Sequence, residues 1–176
     1  MGETRQFALD KQREEKCGWE DARRQAALLR HTSEIAGIGG WELAIPSLEL
    51  TWSPEVYRIH EMDPARRPTV AEAINFYDLE SRPIIEAAVR QAIENGTPYN
   101  LDLAFITATG RRCWIRTKGE AEREGGKTVR LIGSFQDITE HHEALEALRR
   151  SETRFRTLYN ATSDAVMVLD DQRFLD

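Results

Sequence analysis

The spacing of apolar positions changes along this chain, and the changes divide it. Over residues 3–36, Phe7, Trp19, Ala22, Ala26, Leu29 and Ile35 recur at three- and four-residue steps among Arg, Glu, Gln and Ala. That spacing predicts one amphipathic helix, or two meeting at Gly18. The cluster Gly37-Ile38-Gly39-Gly40 stops it. The period then falls to two. Trp41, Leu43 and Ile45, followed by Leu48, Leu50 and Trp52 after a turn at Pro46-Ser47, predict a β-hairpin.

Helical spacing returns at Ser53-Pro54, an N-cap followed by proline at the first helical position. This short helix is expected to run through Val56, Tyr57 and Ile59 to about Met62, where Asp63-Pro64 breaks it. Thr69 or Val70 starts a second helix with Ile74, Phe76 and Tyr77 apolar. Ser81-Arg82-Pro83 opens a third, whose stripe of Ile84, Ile85, Ala88, Val89, Ala92 and Ile93 ends at Asn95-Gly96. Alternation resumes in three runs: Tyr99, Leu101, Leu103 and Phe105; Cys113, Ile115 and Thr117; and Val129, Leu131, Gly133, Phe135 and Asp137. Gly turns at Thr109-Gly110 and Gly125-Gly126 join them into an antiparallel meander. Strands set apart from a block of helices indicate an α+β fold. The economical assembly is a five-stranded antiparallel sheet with helices on one face, flanked by N-terminal and C-terminal helices.

After Thr139 the pattern is helical again, with Leu145, Leu148, Phe155 and Tyr159 on an a/d seam and Glu152 as its polar interruption. Residues 164–170 alternate like the first strand of a further unit. The expected organisation is an N-terminal amphipathic helix over 1–36, a domain over 37–139, a linker helix over 140–160, and the start of a second, truncated unit over 161–176.

Composition narrows the function classes. Charged residues make up 31% of the chain, hydrophobic ones 40%, and the net charge is −6. An acidic balance argues against nucleic acid and anionic membrane surfaces as partners. No apolar run approaches the roughly 20 residues that span a bilayer, and the first residues lack a signal-peptide core. Cys17 and Cys113 have no metal-ligand spacing. The expectations are two reduced thiols, no metal site and a cytoplasmic location.

Several segments, in order, resemble the PAS family with its PAC segment, in a PAS_3-like form. Ile38-Gly39-Gly40-Trp41-Glu42-Leu43 resembles its first strand, and Thr51 to Ile59 its second strand and first helix. Gly133-Ser134-Phe135-Gln136-Asp137-Ile138-Thr139-Glu140 resembles the G-x-x-x-D-I-T-E signature between last strand and signalling helix. Ser151 to Asn160 resembles the start of another PAS unit. One stretch departs: where relatives of this subtype carry His-Pro-x-Asp-Arg, this chain reads Asp78-Leu79-Glu80-Ser81-Arg82, keeping only the Arg.

The resemblance implies a PAS fold within a multidomain signalling protein, such as a sensor histidine kinase of a two-component system or a diguanylate cyclase. This chain would be a regulatory sensor without catalytic residues. Asp137, Ile138, Thr139 and Glu140 are the expected signal-transmission residues, the Asp137 side chain being placed to cap the outgoing helix. A small-molecule pocket would be lined by Trp52, Tyr57, Phe76, Tyr77, Ile85, Leu103 and Phe135, which could equally fill the core; Trp114 could line it too, or face solvent. Flavin and haem are expected to be unlikely, because the flavin-type Asn-Cys-Arg motif and a His within 82–95 are both missing; an unknown small-molecule ligand stays open. His141-His142-Glu143 lacks the polar residues and Pro that follow a phosphoacceptor His, so a solvent-facing role is expected. A homodimer through the flanking helices and a covalently linked output domain are the expected partners. The alternative is a small α+β enzyme with an acid-base pocket.

Overall fold

A computed structural model describes residues 19–21 and 23–171 of the 176, with side chains as far as residue 157 and at 159. Phe7, Gly18, Cys17 and Ala22 lie outside the described residues. Contacts divide the chain into two compact units that meet between Asp137 and Ile138.

The first unit begins with helix α1 (residues 23–36), closed by Gly37 in the left-handed region at φ 62°. Five strands and three helices follow: β1 (Ile38–Ala44), β2 (Glu49–Trp52), α2 (Pro54–His60), α3 (Val70–Asn75), α4 (Arg82–Asn95), β3 (Tyr99–Ile106), β4 (Arg112–Glu124) and β5 (Lys127–Asp137). The sheet order is β2-β1-β5-β4-β3, antiparallel throughout. The α+β class and five-stranded sheet are therefore as the sequence implied. The first strand pairs with the last, Gly39 facing Phe135 and Trp41 facing Gly133. The odd-numbered side chains of β3, β4 and β5 make one face, and Leu103, Phe105, Cys113, Ile115, Thr117, Leu131 and Phe135 are buried there.

The helices sit where local chemistry starts and stops them. Ser53 occupies the N-cap of α2, yet its Oγ accepts from Gly40 N at 3.0 Å while Ser53 N donates to Gly40 O at 2.8 Å. The residue thus ties β1 to α2. Thr69 and Glu72 form a capping box on α3. Arg82, the residue kept from the family motif, donates to the carbonyls of Asn75 and Tyr77.

Four expectations are corrected. Strand begins at Ile38, where the family resemblance put it, rather than at Trp41, where the alternation begins, because β5 offers Gln136 as a partner from that point. Helix α2 ends at His60 rather than Met62, because Glu61 turns left-handed at φ 56°. Ile84 leaves the α4 stripe and is exposed, while Ile85 and Ala92 are buried; as the third residue of the helix it falls off the face that 85, 88, 89, 92 and 93 share. Residues 164–170, expected as strand, are helical: α5 runs Thr139–Asp171 in the second unit. A helix satisfies its backbone within the segment, whereas a strand needs a paired neighbour. Residues 172–176 lie outside the described residues.

Candidate functional site

The helical face of the sheet leaves a cavity of about 70 Å³ between β1, β2, β5 and helices α2, α3 and α4. Its wall includes Trp52, Tyr77, Ile85 and Phe135, four of the expected lining residues. Tyr57 and Leu103 are buried and Phe76 is half-buried in the same core, but none of the three faces the cavity. Trp114 stands on the opposite sheet face, paired with Ala104. Sequence reasoning missed His60, Trp41, Tyr99 and Thr117 on the wall. His60, four residues after Val56 at the end of a short helix, reads in sequence as a core or a surface His alike; the structure puts it on the buried side of α2.

His60 is fully buried, with its Nδ1 2.8 Å from Val56 O. Burial lowers its pKa from 6.5 to about 4, so the ring is neutral. Among the described residues, the wall contains no Asp or Glu.

The next residue opens a polar network. Glu61, held in its left-handed conformation, accepts from Thr109 Oγ1, from Arg111 Nε at 2.7 Å and from Thr107 Oγ1 at 2.9 Å. These bonds, Thr109 foremost, lower its carboxyl pKa to about 2. Arg111 also donates Nη1 to Asp137 Oδ2 at 3.1 Å. Asp137 is the last residue of β5, on the face that carries Phe135. A continuous path of named groups thus runs from the cavity wall to the end of the sheet: His60, Glu61, Arg111, Asp137. Of the other three expected signalling residues, Ile138 opens the second unit, Thr139 begins α5 and Glu140 stands in its first turn.

Residues 49–135 match the PAS fold family. This chain carries a PAS domain. It is 25% identical over 76% of its length to the sensor protein FixL of Bradyrhizobium diazoefficiens, and 23% identical over 78% to the probable diguanylate cyclase DgcE of Escherichia coli. It spans 27% of the first relative and 12% of the second. Among solved structures, a sensory box histidine kinase/response regulator from Burkholderia thailandensis superposes at TM-score 0.61 with 22% identity, over 73% of this chain and 98% of that one. That likeness is one of fold.

The comparisons correct the expectation about cofactors. A light-oxygen-voltage domain described with a flavin analogue shares the PAS fold at TM-score 0.51, 19% identity, over 72% of this chain and 95% of that one. FixL and a blue-light-activated histidine kinase of Brucella anthropi are sequence relatives, the latter 24% identical over 70% of this chain and 25% of its own length. Flavin and haem are therefore not set aside by the missing motifs. The physical reason is that cofactor binding depends on the whole cavity wall, and a His does reach that wall, from α2 rather than α4. As packed, about 70 Å³ falls below the roughly 300–1,000 Å³ of ligand pockets, so either group would have to part the lining side chains.

Proposed function

We propose that this PAS domain is a sensory and regulatory module that passes a change in its cavity through α5 to an output domain outside this chain, a histidine kinase or a cyclic-di-GMP enzyme. The observation that carries the reading is the unbroken contact from His60 on the cavity wall, through Glu61 and Arg111, to Asp137, whose next residues lead into α5. A non-glycine residue in the left-handed region costs on the order of 1 kcal/mol and persists only where its surroundings impose it. Glu61 pays that cost to hold Arg111. Displacing α2 by a bound ligand would loosen Glu61 and free Arg111 to lean on Asp137 alone. Two arrangements of one ionic triad form a two-state coupling element.

The relatives' kinase and cyclase names support the choice of output, and the acidic balance supports a protein rather than a nucleic-acid partner. A homodimer through α1 and α5, and a cytoplasmic location, belong to the same reading. Among the described residues no helix is long and apolar enough to cross a membrane.

The test is Arg111→Ala in the full-length parent protein. Output activity should persist while its response to stimulus falls at least severalfold, and Asp137→Ala should do the same. A response equal to that of the unmodified parent in both variants would refute the coupling.

A further inference from the structure

One row of residues crosses all five strands on the helical face of the sheet. It runs Trp52 of β2, Trp41 of β1, Gly133 of β5, Gly119 of β4 and Tyr99 of β3, each facing the next. In this row β5 and β4 carry no side chain, and their places are filled from either side. A Cβ on Gly133 would strike the Trp41 ring and the carbonyl oxygen of Lys118. A Cβ on Gly119 would come within 2.5 Å of Tyr99 Cε1. The backbones of Trp41 and Tyr99 stand three strand spacings apart, roughly 14 Å. Their rings nevertheless stack, with centroids 6.5 Å apart and planes 17° from parallel. Each ring therefore leans inward over its glycine, and the pair forms a strap across β5 and β4.

The strap lies on a division in the core. On β5 Gly133 separates Leu131 from Phe135, and on β4 Gly119 separates Ile115 and Thr117 from Ala121. One buried group holds Phe105, Ile115 and Phe135; the other holds Leu43, Ala92 and Leu131. Among the described residues, the partly buried apolar side chains that pack against both are Trp41, Tyr99, Leu50 and Val89. A core resists bending because its side chains interlock. A row of glycines interlocks nothing and weakens the strand interior. Here the missing interlock is supplied by two rings that lean on each other, Trp41 being steadied by Nε1 donating to Ser134 O at 3.4 Å.

We infer that this glycine row is a hinge in the sheet and that the Trp41–Tyr99 stack is its latch. Stacked, the rings join the two buried groups into one packed unit. Parted, they let the part of the sheet that carries Phe135 and ends at Asp137 tilt against the part that carries Leu131. The hinge deepens the sensory reading and rests on it only for its consequence at Asp137. The motion itself is read on this chain alone, so failure of one is distinguished from failure of the other.

Collective hinge motions fall in the microsecond-to-millisecond range, which relaxation dispersion detects. In the full chain labelled with ¹⁵N, exchange should appear at the amides of Lys118, Gly119, Gly133 and Ser134 with one common rate. The amides of Phe105 and Ala92, within the two groups, should stay flat. Tyr99→Leu keeps an apolar side chain and removes the ring. Its minor population should rise about two- to tenfold, the equivalent of one aromatic pair. Trp41→Leu removes the other ring and should give the same rise, so misfolding of one variant leaves a reading from the other. Tyr99→Phe keeps the ring and should match the unmodified chain. Three results would overturn the hinge: no exchange at the row in the unmodified chain or either Leu variant, exchange spread evenly through both groups, or a rise in Tyr99→Phe equal to that in Tyr99→Leu. Output of the full-length parent is measured separately. Exchange at the row with unchanged output in Tyr99→Leu would remove the consequence for signalling and uphold the hinge.

Discussion

His60 and Glu61 are neighbours in sequence, and the fold treats them in opposite ways. His60 is placed among hydrocarbon, and burial lowers its pKa from 6.5 to about 4. Glu61 is placed among donors, and hydrogen bonds from Thr109, Arg111 and Thr107 lower its pKa from 4.5 to about 2. Both values are depressed, so the linkage has one sign. Between pH 6.5 and about 4 the unfolded chain holds more protons at His60 than the folded one, and stability rises with pH. The His60 contribution is complete above 6.5 and is lost as pH falls through about 4; its size is on the order of 3 kcal/mol. Glu61 acts next, its contribution present above 4.5 and lost as pH falls through about 2. Urea unfolding at pH 7, 5 and 4 should show the first fall in the unmodified chain and, in His60→Phe, a flat profile from pH 7 to 5 with only the onset of the Glu61 loss at pH 4. A fall of equal size in the variant would place the effect elsewhere. Neither shift is legible in sequence: a His four residues after a Val on a short helix reads as core or surface alike until the neighbours of its ring are known.

At the scale of elements, β1 and α2 meet at a point where only a glycine fits. A Cβ on Gly39 would strike Val56 Cγ2 and come within 2.7 Å of Val56 N. Ser53 seals the same junction through its two bonds with Gly40. Gly39→Ala should therefore lower stability by roughly 1–3 kcal/mol, the usual range for overpacking, as measured by the denaturant midpoint. No loss would mean that α2 can move off β1 without cost. The sequence showed the Gly cluster as a helix stop, which describes Gly37; the close approach at Gly39 depends on Val56, seventeen residues downstream in α2. Capping and turn positions were easier to read, as at Pro54, Thr69 and Gly96, because their chemistry is local.

For the whole molecule, the proposed dimer has to account for apolar side chains that the described structure leaves exposed. On α1 these are Leu28, Leu29 and Ile35, and on α5 they are Leu145, Leu148, Phe155 and Tyr159. Each helix keeps its polar face in water and has an apolar stripe that a second copy can cover. Light scattering should report a dimer for the full chain and a smaller mass for Leu148→Glu with Phe155→Glu. Removal of residues 1–30 tests α1 separately, since an unchanged dimer mass would take that helix out of the interface. Sequence alone determined the α+β class, the element order and the sheet's alternating faces, because period, caps and turns are properties of consecutive residues. Tertiary structure alone decided that β1 pairs with β5, that His60 enters the cavity, and that Glu61, Arg111 and Asp137 form one network. Those residues are separated by up to 77 positions, from His60 to Asp137. No local pattern carries such a distance; the antiparallel register of β3, β4 and β5 brings the β3–β4 turn beside the last residue of the sheet.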